Sequence, residues 1–148
     1  EVTTEGGLDV IKHKNKLKAI IERFSEVNIP VSLFVDPVQE QLEICAEIKA
    51  GWIELHTGKY AVTKNNERAM ELSILKESTA KAKSLGLRVN AGHGLTYQNV
   101  EQIAAIEGIE ELNIGHTIIS RALAVGLSQA VKEMKYLIIN PREGNSFL

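Results

Sequence analysis

Two hydrophobic periods take turns along this chain. Over residues 8–28, Leu17, Ile20, Ile21, Phe24 and Val27 recur at helical spacing, the stripe of an amphipathic helix. Pro30 ends it, and "VSLFVD" (31–36) is a nearly continuous apolar run, as expected of a strand in a buried parallel sheet. Asp36, Pro37 and Gln39 then read as an N-cap, a proline at the first helical position and a capping-box partner. The helix they open carries Val38, Leu42 and Cys45 on one side. "WIELHTG" (52–58) is the next strand, and the polar stretch "KYAVTKNNER" leads into a helix through Leu72, Leu75 and Ala82 that stops at Gly86. A third strand, "LRVNAGHG" (87–94), precedes a helix marked by Val100, Ile103 and Ala104 and closed by Gly108. "LNIGH" (112–116) is the fourth. A short helix over 117–125 breaks at Gly126, and a longer one follows with Val131, Met134 and Leu137.

Strands alternating with helices predict βαβ units and a parallel sheet, either open and doubly wound or closed as a (β/α)₈ TIM barrel. A barrel takes about 250 residues for its eight units. Four strands in 148 residues, opening at Glu1 on the loop-like "EVTTEGG", match a second half. The expected architecture is therefore α/β, the C-terminal half of a TIM barrel, with 1–148 as one domain.

Composition narrows the class without changing that picture. The net charge is −2, with no basic excess and no block of like charge, which argues against nucleic acid as a partner. The apolar runs fall well short of the ~18 residues that span a bilayer, and no signal peptide is expected. The lone cysteine, Cys45, fits core filling and a reducing, cytoplasmic setting.

The chemistry gathers at the strand ends. Asn-x-Gly-His occurs twice, at 90–93 and 113–116, each time after an apolar run and before a helical pattern. In a TIM barrel the active site lies at the carboxyl ends of the strands, and phosphate often sits by the last two loops and a short extra helix. Gly92 and Gly115 would let backbone N–H groups approach an anion, though tight turns alone would also explain them. Glu54 and His56 lie two apart on a strand and so share a face, with Ile53 and Leu55 on the other. A glutamate in an apolar strand is costly unless paired or used. A structural Glu–His or Glu–Lys pair and a metal site from Glu54, His56, His93 and His116 are the alternatives, and no ligand spacing is diagnostic. His93 is the candidate for proton transfer, because imidazole titrates near neutrality. Asn90 and Asn113 read equally well as core hydrogen-bonders, His13 as a solvated helix residue and Trp52 as packing. Thr3 and Thr4 precede "EGG", which fits either a lid over a ligand or a turn before the first helix.

Taken in order, "EVTTEGGLDV", "VSLFVD", "IELHTG", "VNAGHGLTYQNV" and "ELNIGHTIISRA" closely resemble the pyridoxine 5′-phosphate synthase family over nearly the whole chain. The resemblance implies a TIM barrel that joins 3-amino-2-oxopropyl phosphate to 1-deoxy-D-xylulose 5-phosphate, giving pyridoxine 5′-phosphate, phosphate and water without an added cofactor. It implies His93 as general acid and Glu54 as a buried, transition-state-stabilising carboxylate. It places Thr3 in a mobile loop, over residues 1–7, that binds the deoxyxylulose phosphate, and Gly94, Gly115 and His116 on the aminoketone phosphate. It also implies a homo-oligomer with strands five to eight in this chain and no bound metal. The family's Asn-x-Asp-His strand, its basic histidine with nearby arginines and its glutamate base are not found in these 148 residues. Another phosphosugar barrel, an isomerase or aldolase, is the nearest alternative, although against an aldolase no lysine sits at an expected strand end; Lys59 is the nearest and follows "HTG" in the loop. A non-catalytic phosphate-binding half-barrel is the third.

Overall fold

The computed structural model describes residues 6–141. The elements run α1 (Val10–Glu26), β1 (Ser32–Val35), α2 (Gln39–Glu47), β2 (Trp52–His56), α3 (Gly58–Val62), α4 (Asn65–Ser84), β3 (Arg88–Gly92), α5 (Val100–Ala104), β4 (Ile109–Asn113), α6 (His116–Val125) and α7 (Leu127–Ile139). All strand pairings are parallel and the sheet order is β1-β2-β3-β4. A doubly wound sheet reverses its strand order at a switch point, whereas a barrel adds strands in sequence. The fold is thus α/β and part of a TIM barrel.

Strand alternation assigns the two faces. Leu33, Val35, Ile53, Leu55, Val89 and Ala91 point to the helical layer, where they form one buried cluster with Leu42, Cys45, Ile48, Leu75, Ala82 and Ile103. Cys45 is fully buried, and desolvation pushes its thiol up to about 11, so it serves as apolar filling. The other face carries Phe34, Trp52, Glu54, His56, Asn90, Gly92 and Asn113, the positions that would line a barrel interior. Trp52 lies at its lower end with the Arg88 guanidinium 3.6 Å above the ring, and Arg88 also pairs with Glu110.

Local chemistry explains most boundaries and corrects some. Asp9 caps α1 by accepting the Lys12 N–H at 3.0 Å, so the helix begins at Val10. Only Val10 and Ile21 of α1 are buried; Phe24 and Val27, expected on its core stripe, are exposed. The expected N-cap at Asp36 is not made. Val38 occupies that position in extended conformation, and the Asp36 carboxylate turns to other partners. Val38 is correspondingly exposed while Leu42 and Cys45 are buried. The "polar stretch" after β2 contains a helix, α3, anchored by Tyr60, whose hydroxyl donates to the Asn99 carbonyl at 2.6 Å. β4 starts and ends three residues earlier than its glycine suggests, leaving Ile114 and Gly115 as a loop and His116 as the first residue of α6. Gly86 and Gly126 adopt φ of +82°, a left-handed backbone that stops α4 and separates α6 from α7. No helix among the described residues is long and apolar enough to cross a membrane.

Candidate active site

A cleft of about 700 Å³ opens at the carboxyl ends of the strands, lined among others by Phe34, Glu54, His93, Gly94, Gly115 and His116. Five of the six residues singled out in the sequence therefore share one cavity. The sixth, Thr3, and most of the expected lid at 1–7 lie outside the described residues.

Glu54 projects from β2 across β3 toward β4. The register pairs His56 with Gly92 and Gly92 with Asn113, so a glycine stands between the carboxylate and Asn113. A Cβ at position 92 would lie 2.3 Å from Glu54 Oε1, and its absence lets the carboxylate cross the strand. There Glu54 Oε2 accepts from Asn113 Nδ2 at 2.8 Å. The expected alternative of a Glu–Lys or Glu–His pair is not formed; the partner is neutral. Burial raises the Glu54 pKa above the ordinary carboxylate value, with Glu111 adding to the rise, while the Asn113 bond and His56 oppose it.

His93 follows β3 at φ +84°, a left-handed conformation that costs a non-glycine residue about 1–3 kcal/mol and marks a site where geometry is imposed. The fully buried Thr57 imposes it: its hydroxyl lies 2.6 Å from the His93 carbonyl and 2.8 Å from that of Gly92. The turn therefore aims an exposed imidazole into the cleft.

Opposite stands the N-terminus of α6. Gly115 is its N-cap and has no side chain to satisfy the N–H groups of the first turn. Those donors, the positive end of a ten-residue helix and the adjacent His116 suit an anion such as phosphate. An imidazole, a half-buried carboxylate and a helix N-terminus around one cavity are groups with which a phosphorylated molecule can be bound and a proton moved on it. Among the described residues, no three His, Cys, Asp or Glu side chains group so as to hold a metal ion; His56, one member of the conceivable set, turns its Nδ1 to Asp36.

The sequence reading missed several contributors. Asp36 has the local signature of a cap, although it sits at a strand's carboxyl end like the other site residues. Thr57 and Gly58 carry no local signal, and Asn113 an ambiguous one, because their contacts are with residues of adjacent strands and strand ends.

Comparison with known proteins bears on this cleft. Residues 1–140 match the family described as pyridoxal phosphate biosynthesis protein PdxJ. The chain is similar to the pyridoxine 5′-phosphate synthase of Prochlorococcus marinus (strain NATL1A), 83% identical over 148 residues, covering 100% of this chain and 60% of that protein. It is also 61% identical over 147 residues to the pyridoxine 5′-phosphate synthase of Synechococcus sp. (strain WH7803), covering 99% of this chain and again 60% of the relative. The chain thus spans about 60% of the length of the curated relatives it matches.

Proposed function

The chain belongs to the family of the pyridoxal phosphate biosynthesis protein PdxJ, and from that premise we propose that it forms part of a pyridoxine 5′-phosphate synthase. The reaction would join 3-amino-2-oxopropyl phosphate to 1-deoxy-D-xylulose 5-phosphate, with pyridoxine 5′-phosphate, phosphate and water as products. The observation that carries the proposal is the cleft in which His93 and Glu54 face the N-terminus of α6.

In this reading Gly94, Gly115 and His116 hold the aminoketone phosphate, with the first-turn N–H groups of α6 supplying the donors. His93 protonates leaving oxygen as the condensation expels water and phosphate. Glu54, ionised and partly desolvated, stabilises positive charge that develops as the amine adds to a carbonyl. Its bond to Asn113 fixes where that negative charge stands. Thr3, in a loop over residues 1–7, would close on the deoxyxylulose phosphate. Residues 1–148 would form one domain contributing strands five to eight of the barrel. The whole protein would be a cytoplasmic homo-oligomer acting on small phosphorylated molecules, with no nucleic-acid, membrane, metal or cofactor requirement.

The test uses the natural full-length protein, because the base-bearing elements of the family are not among these 148 residues. Incubated with the two phosphates, it should form pyridoxine 5′-phosphate at an undiminished rate in excess chelator. His93→Asn and Glu54→Gln should each lower kcat by ~10²–10⁴-fold, the range that a positioned proton-transfer or charge-stabilising group supplies. Phosphate binding should persist in both. Binding without turnover in the unmodified protein would favour a non-catalytic phosphate-binding role instead.

A further inference from the structure

Asp36 and His56 have no part in the chemistry just proposed, yet both are tied to His93. His56 Nδ1 lies 2.8 Å from Asp36 Oδ1. A carboxylate can only accept, so the proton of that bond sits on Nδ1. The same Oδ1 accepts the Gly7 N–H at 3.1 Å, and Leu8 N–H reaches the Phe34 carbonyl at 2.7 Å. Gly7 lies so close to β1 that a Cβ would sit 2.2 Å from the Asp36 nitrogen. One carboxylate oxygen thus joins the segment leading into α1 to the His56 ring.

The His56 ring in turn packs on His93. Their centroids are 4.8 Å apart with planes at 64°, and Phe34 meets His56 edge-on at 5.1 Å. His56 is only 8% exposed, and its Nε2 has no hydrogen-bond partner among the described residues. What the contacts of this side chain give His93 is the position of the His56 ring, wedged between Phe34 and His93. Gly58 keeps that position available, since a Cβ there would lie 2.5 Å from His56 Nε2 and 3.2 Å from His93 Cδ2. Among the described residues no hydrogen bond holds the exposed His93 ring itself; its orientation comes from these packing contacts.

We infer that Asp36 and His56 are positioning residues for His93: the Asp36 carboxylate holds the His56 ring, and that ring sets the angle at which His93 enters the cleft. The inference rests on the proposed role of His93 as proton donor.

The full-length protein carrying His56→Phe, His56→Asn, Asp36→Leu or Asp36→Asn separates the links. Phenylalanine keeps a ring beside His93 but loses the tie to Asp36; asparagine at position 56 keeps a donor near Nδ1 but removes the ring. Both, and Asp36→Leu, should lower kcat by ~10-fold or more with KM within ~2-fold, because a misplaced reacting group loses rate rather than binding. Asp36→Asn still offers an oxygen to Nδ1 and to Gly7, and should restore most of what Asp36→Leu loses. The His93 ring resonances in histidine-labelled NMR spectra should move in His56→Phe and Asp36→Leu and stay in place in Asp36→Asn. Unchanged kcat in His56→Phe, a loss confined to KM, or unmoved His93 resonances would overturn the inference. If Asp36→Leu does not fold, the two His56 variants decide. If the unmodified protein makes no pyridoxine 5′-phosphate, the functional reading fails, while the His93 resonances still decide the positioning.

Discussion

A methyl group at position 92 would stand 2.3 Å from Glu54 Oε1 and 2.9 Å from the Asn113 carbonyl oxygen, one a side chain and the other fixed backbone. The carboxylate must give way. Gly92→Ala should therefore break the Glu54–Asn113 bond, lower kcat by ~10²-fold as the charge is displaced, and cost about 1–3 kcal/mol of stability from overpacking. Steady-state kinetics and denaturant unfolding of the same variant check both. Glu54 itself carries a prediction about pH. Its folded pKa is raised by burial, so the native state holds this proton more tightly than the unfolded chain does. Ionisation then costs stability as pH rises through the carboxylate range, and the cost persists above it. Glu54→Gln should match the unmodified protein in thermal stability below about pH 4, where both side chains are neutral. Toward neutrality it should become the more stable of the two while losing activity. Melting curves at several pH values measure the difference; a variant less stable at neutral pH would contradict the assigned sign. At this scale the two-residue period made the shared face of Glu54 and His56 legible. The bond to Asn113 was not, because it reaches across a strand and depends on a glycine in between.

Among the elements, β2 connects core and site most directly. Ile53 and Leu55 are fully buried under the helices, while Glu54 lines the cleft and the buried His56 packs against His93, so one strand of five residues serves both core and site. Leu55→Ala should cost about 2–5 kcal/mol, the usual range for truncating a buried leucine. Because it also loosens the strand beneath Glu54, kcat should fall as well. Equilibrium unfolding with parallel kinetics would test this, and a loss of stability without loss of rate would show the two faces to be independent. Periodicity identified all four strands and the long helices, since burying one face imposes its repeat on the sequence. It failed for α3, which buries only Tyr60 and is held by that residue's bond to Asn99, whereas the equally short α5 shows its repeat through the buried pair Val100 and Ile103. It also misread Asp36, where cap chemistry and proline order pointed to a helix start, but a histidine and a glycine N–H from elsewhere captured the carboxylate.

For the molecule as a whole, both outer strands of the sheet, β1 and β4, are edges among the described residues. The helices beside them are unevenly covered: α6 has no buried residue, Leu123 is 89% exposed, and Phe24 of α1 and its C-cap Val27 are open. Open edges flanked by apolar surface favour association. A polypeptide of residues 1–148 alone should sediment above its 16.3 kDa formula mass, increasingly so with concentration. Sedimentation equilibrium at several loadings tests it, and a concentration-independent monomer would show that the edges are protected.

The sequence by itself determined the order of strands and helices, the burial of one strand face, and the gathering of glycines and histidines at strand ends. Each of these is written in local spacing or in motifs that neighbouring residues complete. Its likeness to a known family extended that reading to candidate roles. Only the tertiary structure decided that Gly92 opens a passage for Glu54, that Thr57 holds His93 in a left-handed turn, and that Asp36 serves His56 rather than a helix. The physical reason is common to all three. Each contact joins residues at least 20 apart, through a register between strands that no local pattern encodes.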